Sequence, residues 1–94
     1  MLNDLDPLLH SQLRLGVMSI LMSAESAEFT FLKEKTNSTA GNLSIQLDKL
    51  AEAGYISVEK SFRGKRPLTT CRITRKGMKA FEEYVATLKE YIKK

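Results

Sequence analysis

The chain has 94 residues, a mass of 10.6 kDa and a net charge of +4, which together predict one domain over residues 1–94. It contains no apolar run of the about 18 residues that a membrane helix needs, and its acidic start MLNDLDPLLH excludes a signal peptide, so we expect a cytoplasmic protein without a membrane partner. One cysteine, Cys71, and one histidine, His10, exclude an internal disulfide and a structural zinc site, and no set of reactive groups indicates an enzyme or a cofactor.

The first predicted helix begins at Asp6-Pro7, where Asp6 caps the N-terminus and Pro7 takes the first helical position. From Leu8 to Met22 the sequence is apolar over much of the helical circumference. Such a helix is buried on more than one side. One face serves the chain's own core, and we expect a second face to need another partner, such as a second chain.

The next segment predicts a short strand over residues 28–30 and a short helix from Phe31 to about Thr36. Thr30 is expected to cap this helix, with Phe31 and Leu32 on its inner side. A turn at Asn37-Ser38 follows.

A third helix is predicted from about Thr39 to Ala53, ended by Gly54 as a glycine beyond the C-cap. Its apolar stripe has the spacing of a half-buried helix and consists of Ala40, Leu43, Leu47 and Leu50.

Alternating apolar residues predict a strand over 56–62, a turn over 63–67 with Gly64 at positive φ, and a second strand over 69–73. Thr74 is expected to cap the last helix, in which Gly77 lowers the helical propensity. A continuous apolar stripe runs to the end of this helix and consists of Ala80, Phe81, Tyr84, Val85, Leu88, Tyr91 and Ile92.

This order of elements predicts a winged helix-turn-helix, an α+β fold that is mostly α. Two helices joined by a short turn are followed by a wing of two to three β-strands. A long C-terminal helix, predicted to mediate dimerisation, completes the fold.

Positive charge is concentrated between residues 60 and 79, where eight bases occur without an acid. The remaining residues carry seven bases and eleven acids. A fold that gathers residues 60–79 on one face has a surface suited to a phosphate backbone. The other interpretation of the same charges is a solvated surface that binds nothing.

The run from Phe29 to Phe62 resembles the small MarR/ArsR-like winged-helix transcriptional regulators. The resemblance rests on Gly41-Asn42-Leu43-Ser44, on Glu52-Ala53-Gly54-Tyr55-Ile56, on the wing at residues 62–67 and on Ile73-Thr74-Arg75-Lys76-Gly77. It implies a prokaryotic, cytoplasmic homodimer that binds double-stranded operator DNA. The chain lacks the Cys and His clusters of metal-sensing relatives and the extra helices of larger MarR-type proteins, so an unknown small-molecule effector stays an open question.

Within that fold, helix 38–53 is expected to enter the major groove and wing 62–68 to contact the minor groove or the backbone. Amide side chains suit adenine, and bases at the wing suit phosphates. The predicted DNA-binding residues are Ser38, Thr39, Asn42, Ile45, Gln46, Lys49, Lys60, Arg63, Lys65, Arg66, Arg72 and Arg75.

Several of these residues have a second interpretation. Asn42 either contacts a base or caps its own helix. Ile45 either contacts a thymine methyl group, or it packs on the wing or is simply exposed. Gly41 permits either a close approach to DNA or tight packing on a neighbouring helix. Cys71 is expected to be a buried structural thiol rather than a redox sensor.

The excess apolar surface of the first and last helices predicts a homodimer built from both ends of the chain. Its predicted interface consists of Leu9, Leu13, Phe81, Tyr84, Val85, Leu88, Tyr91 and Ile92. The alternative function is a winged-helix module that binds a protein instead of DNA.

Overall fold

The computed structural model describes residues 2–92, so residues 1, 93 and 94 of the predicted domain lie outside the described part. Its elements are α1 (Gln12–Ser23), β1 (Ala27–Glu28), α2 (Phe29–Thr36), α3 (Ala40–Glu52), β2 (Ile56–Arg63), β3 (Arg66–Ile73) and α4 (Arg75–Ile92). The three strands form one antiparallel sheet in the order β1-β3-β2. Four helices and this sheet confirm the predicted α+β fold. Among the described residues, no helix has both the length and the hydropathy of a membrane span.

The start of α1 differs from the prediction. Asp6 does cap a backbone turn, since its Oδ1 accepts from Leu8 N at 2.9 Å and its carbonyl oxygen accepts from His10 N at 2.9 Å. That turn closes locally, and the helix begins only at Gln12, where Ser11 Oγ accepts from Arg14 N. A strong local cap at Asp6 therefore marks a separate turn, not the helix.

Much of the apolar circumference of α1 faces other elements of the same chain. This helix contacts α2, α3, α4 and β3. Val17, Met18 and Leu21 are buried, and Leu13, Leu15 and Ile20 pack against the same core. One molecule thus supplies neighbours for several faces of α1, but Leu13, Leu15 and Ile20 stay half-exposed, so the expected contact of this helix with a second chain stays a prediction.

Helix α2 begins at Phe29, two residues before the predicted start, and its N-cap is Glu28 instead of Thr30. Leu32 is buried as expected, but Phe31 is 45% exposed and lies under the ammonium group of Lys35. Phe29 packs against the core instead. Because α2 includes Phe29, this residue and Leu32 lie three positions apart on one helical face and both point inward, whereas Phe31 lies on another face.

Helix α3 follows its sequence signals closely. Thr39 Oγ1 accepts from Asn42 N at 3.2 Å and caps the N-terminus. Leu43, Leu47 and Leu50 are buried in the core, whereas Ala40 is exposed at the first turn. Gly54 has a φ of +80° beyond the C-cap, as predicted.

Strands β2 and β3 form a longer hairpin than the sequence predicts. They pair from Ile56 with Ile73 to Arg63 with Arg66, leaving only Gly64 and Lys65 in the turn. Gly64 has a φ of +64°, which a residue with a side chain rarely adopts. Pro67 pairs with Phe62 near the tip, so proline did not end the strand.

Tyr55 connects the N-terminal segment to the start of α4. Its hydroxyl donates to Asp6 Oδ2 at 2.6 Å, and its carbonyl accepts from Thr74 N at 3.0 Å. The hydrogen bond to Asp6, then burial and the charges of Asp6 and Glu83, raise the pKa of Tyr55 to about 12. Thr74 Oγ1 accepts from Gly77 N at 3.0 Å, which confirms Thr74 as the cap of α4.

Candidate nucleic-acid interface

The face of α3 that points away from the core carries most of the residues that the sequence predicts to contact bases, and we call it the reading face. Thr39, Asn42 and Lys49 are exposed, and Ile45 is 55% exposed. Ile45 is therefore not packed on the wing, and a methyl contact in the major groove stays available to it. Gln46 is half-buried at the edge of this face.

Gly41 lies on the open side of α3. A Cβ atom built at Gly41 meets no other atom within 4 Å. Tight packing on a neighbouring helix is therefore excluded as the reason for this glycine. A close approach of the backbone to DNA stays a prediction.

The amides of Asn42 and Gln46 are joined to each other and to α1. Gln46 Nε2 donates to Asn42 Oδ1 at 2.9 Å, and Gln46 Oε1 accepts from Arg14 Nη1. Asn42 does not cap its own helix with its side chain, because Thr39 supplies that cap. Gln46 has its oxygen engaged, which leaves it poorly placed for a two-bond contact with adenine.

Ser38 precedes α3 and is half-buried, with its hydroxyl 2.8 Å from Thr36 Oγ1. Thr36 uses its own hydroxyl hydrogen on the Leu32 carbonyl at 2.6 Å. A hydroxyl has one hydrogen, so Ser38 must donate to Thr36. Ser38 is therefore not free to donate to a phosphate, and we remove it from the predicted contacts.

Lys60 faces α3 across a groove. The groove is lined by residues of α2, α3 and both long strands: Phe29, Ala40, Ser44, Leu47, Asp48, Val58, Lys60 and Thr69. Asp48 is the one acid in this lining and opposes a phosphate at its mouth. Lys60 lies beside α3 in this groove and is exposed, which are the two conditions for a phosphate contact next to the reading face.

The wing tip carries Arg63, Lys65 and Arg66, all exposed. Arg63 Nη2 lies 2.6 Å from Glu28 Oε2, and this is the only ion pair within residues 2–92. Arg63 is thus partly neutralised by an acid from β1, which the acid-free window 60–79 does not reveal. Lys65 and Arg66 supply the unneutralised charge at the tip.

The fold places Arg72 and Arg75 at the end of the hairpin opposite to the wing tip. Arg72 lies six residues along β3 from Arg66, a distance of about 20 Å at the rise of a β-strand. It borders a depression with Leu21, Met22 and Met78, and Arg75 begins α4. Arg72 therefore does not belong to the wing tip, and a phosphate contact by Arg72 or Arg75 stays a prediction.

Cys71 is buried in the core, and burial raises the pKa of its thiol to about 11. Because the thiolate is the reactive form, we expect a disulfide reagent at pH 8 to label the folded protein only as fast as it unfolds. Unfolding in guanidinium chloride is expected to make the same thiol react within the mixing time. Rapid labelling of the folded chain at pH 8 is the result that contradicts this interpretation.

The residues of the predicted dimer interface fall into two groups. Leu9 and Tyr84 are 0% and 4% exposed, and the Tyr84 hydroxyl lies 2.9 Å from His10 Nδ1. Both are covered by the chain itself, and we remove them from the interface. Surface remains on Leu13, Phe81, Val85 and Leu88, which are half-buried, and on Tyr91 and Ile92, which are 44% and 71% exposed.

Three residues near the interface were missed from the sequence: Arg14, Glu28 and Phe62. Arg14 and Glu28 act through contacts 32 and 35 residues away, for which no local pattern exists. Phe62 is 71% exposed near the wing tip. The sequence did contain a sign of this exposed residue. Phe62 is on the same side of the strand as Ile56 and Val58, but it lies so far along the hairpin that the core does not cover it.

The comparisons with known proteins agree with this geometry. The family described as a winged helix DNA-binding domain matches residues 13–92. The uncharacterized protein MJ0432 of Methanocaldococcus jannaschii is 41% identical over 76 residues, which cover 81% of this chain and 83% of that protein.

Two solved structures share the fold. The transcriptional regulator homologue from Pyrococcus horikoshii superposes with a TM-score of 0.84 at 29% identity, covering 90% of this chain and 84% of that chain. Bacillus subtilis PadR in complex with operator DNA has a TM-score of 0.70 at 13% identity, covering 80% and 48%, a likeness of fold alone. The predicted winged-helix fold and the family resemblance are confirmed.

Proposed function

Because the chain belongs to the family of winged helix DNA-binding domains, we propose that it regulates transcription as a homodimer that binds one operator sequence with α3 and holds the backbone with its wing. The observation that carries this proposal is the exposed polar face of α3 beside the free cations of the hairpin. Asn42 and Lys49 lie on that face, Lys60 borders its groove, and Lys65 and Arg66 extend from the tip.

The two parts of the surface have different tasks. The side chain of Asn42 reaches base edges in the major groove, where hydrogen-bond patterns differ between base pairs. Lys60 and Arg66 contact phosphates, which position the protein without specifying a sequence. Such a division gives binding to any duplex through the wing and preference for one sequence through α3.

Replacing Arg66 with alanine tests the role of the wing. Removing one phosphate contact is expected to weaken binding to every duplex and to lower the slope of log K against log salt by about one unit. The measurement is a fluorescence-anisotropy titration at several salt concentrations. Lys89→Ala is the matched control, because it removes an exposed base from α4. An unchanged slope in Arg66→Ala refutes wing contact.

The homodimer is supported by apolar surface at both ends of the chain. Leu2, Tyr91 and Ile92 are exposed, and Tyr91 donates its hydroxyl to the Asn3 carbonyl at 2.7 Å, which brings the two ends together. Helix α4 has 18 residues and is about 27 Å long. A two-fold dimer places two α3 helices about 34 Å apart, the spacing of successive major grooves.

Replacing Ile92 with glutamate is expected to give monomers. Ile92 is 71% exposed in the single chain, so a charge there leaves the fold intact and penalises only a covering partner. Light scattering measures the mass of the wild type and the variant, and circular dichroism checks the fold. Ala86→Glu is the control, because it places the same charge on an exposed residue about a third of a turn away from Ile92 around α4. A variant of unchanged dimeric mass refutes the proposed interface.

The alternative function, docking of a protein, is favoured by Ile45 and Phe62, which are 55% and 71% exposed. Protein interfaces use such apolar anchors. Against it, the same surface carries Lys49, Lys60, Lys65 and Arg66. Binding of a duplex by the wild type, weakened by Arg66→Ala, favours DNA over this alternative.

Two further expectations complete the proposal. The protein works in the cytoplasm, where its operator lies, and it performs no catalytic step. Control by a small-molecule effector is compatible with this proposal but is not part of it. Whether the protein represses or activates transcription depends on the position of the operator relative to a promoter.

A further inference from the structure

Arg14 is the only base among residues 1–30 and its side chain reaches the reading helix. Its Nε donates to the Leu8 carbonyl at 2.5 Å, and its Nη1 donates to Gln46 Oε1. Arg14 is half-buried and forms no ion pair with the described residues. One guanidinium group therefore joins the N-terminal turn, α1 and α3.

This contact determines which way two amides point. A guanidinium group only donates, so Gln46 must turn its oxygen towards Arg14. Gln46 Nε2 then faces Asn42 and donates to Oδ1 at 2.9 Å. Asn42 consequently has its NH₂ group free on the exposed face of α3. Without Arg14, both amides are able to rotate by half a turn and exchange donor for acceptor.

We propose that Arg14 is a positioning residue for sequence specificity: through Gln46 it makes Asn42 present a donor to the DNA. The base that Asn42 contacts is then one with a keto acceptor on its major-groove edge, guanine O6 or thymine O4, and not one with the amino donor of adenine N6 or cytosine N4. This inference rests on the proposed function, and it revises the expectation that Asn42 and Gln46 each read adenine with two bonds.

The variant Gln46→Glu tests the orientation directly. Glutamate still accepts from Arg14, but its second oxygen also accepts, so Asn42 must turn its NH₂ group inward and expose its oxygen. Selection of duplexes from a random pool is expected to enrich a donor, adenine N6 or cytosine N4, at the position where the wild type selects an acceptor. Identical selected sequences for the two proteins overturn the inference.

The variant Arg14→Met tests the same chain of hydrogen bonds, from Arg14 through Gln46 to Asn42, at its first residue. Methionine keeps an unbranched apolar stem and removes all donors. We expect the ratio of the Kd for a scrambled duplex to the Kd for the selected duplex to fall about tenfold. We expect the double variant Arg14→Met/Asn42→Ala to lose little more preference than Arg14→Met alone, because both changes remove the same contact between Asn42 and the DNA. Additive losses, or an unchanged ratio in Arg14→Met, overturn the inference.

Two readouts separate this inference from other causes of failure. A thermal unfolding curve shows whether Arg14→Met is folded at the assay temperature, and if it is not, Gln46→Glu alone decides. If the wild type binds no duplex, the proposed function has failed. If the wild type prefers its selected duplex and both variants keep that preference and sequence, only the role of Arg14 has failed.

Discussion

Gly77→Ala is expected to lower the free energy of unfolding by about 3 kcal/mol, the upper part of the range for overpacking a core. A Cβ atom at Gly77 lies 2.0 Å from the Tyr55 carbonyl oxygen, 2.9 Å from its carbonyl carbon and 3.0 Å from Ile73 Cγ1. Two of these neighbours are backbone atoms of a residue that is held by hydrogen bonds to Asp6 and Thr74. The methyl group therefore forces α4 away from the junction between α3 and β2.

Chemical denaturation monitored by circular dichroism measures this loss. Gly41→Ala is the matched control, since its new methyl group meets no atom within 4 Å and alanine favours a helix. We expect the control to unfold at the same denaturant concentration as the wild type or slightly above it. Equal stability of Gly77→Ala and wild type contradicts the close packing of α4 on Tyr55.

Asn42→Ala is expected to weaken binding to the selected operator by about 1–3 kcal/mol, roughly a fivefold to 150-fold rise in Kd, and to leave binding to scrambled duplexes unchanged. Asn42 is exposed on α3, and its NH₂ group is not used within the described chain. Removing it deletes a base contact and no core packing.

The two duplexes are compared in the same anisotropy titration. Asn3→Ala is the matched control, because it makes the same chemical change on an exposed residue of the N-terminal segment, outside α3 and the wing. Equal losses on selected and scrambled duplexes indicate that Asn42 contacts phosphate. No loss on either duplex removes Asn42 from the interface.

The features that local chemistry determines were predictable. The buried stripe of α3, the glycine after its end and the cap at Thr74 each depend on residues within a few positions of one another. The hairpin was predicted for the same reason, although its strands extend further because backbone pairing continues beyond the apolar alternation.

The features that required the structure depend on distant residues. The sequence indicated only that Gly77 lowers the helical propensity of α4. The structure shows that the backbone of Tyr55, 22 residues earlier, lies so close to Gly77 that only glycine, which has no side chain, fits there. Arg14 reaches Gln46 and Glu28 reaches Arg63 across similar separations. The count of bases in residues 60–79 overestimates the positive charge that the structure gathers in one place. Glu28 of β1 partly neutralises Arg63, and the length of β3 separates Arg72 from the bases of the wing tip.

Titration of the wild-type chain against a pool of short random duplexes, at about 50 mM and about 200 mM salt, tests the DNA-binding account most directly. If the surface makes four or more phosphate contacts, binding is strong at the lower concentration and at least about a hundredfold weaker at the higher one. No binding at about 50 mM salt, or equal affinity at both concentrations, contradicts the account.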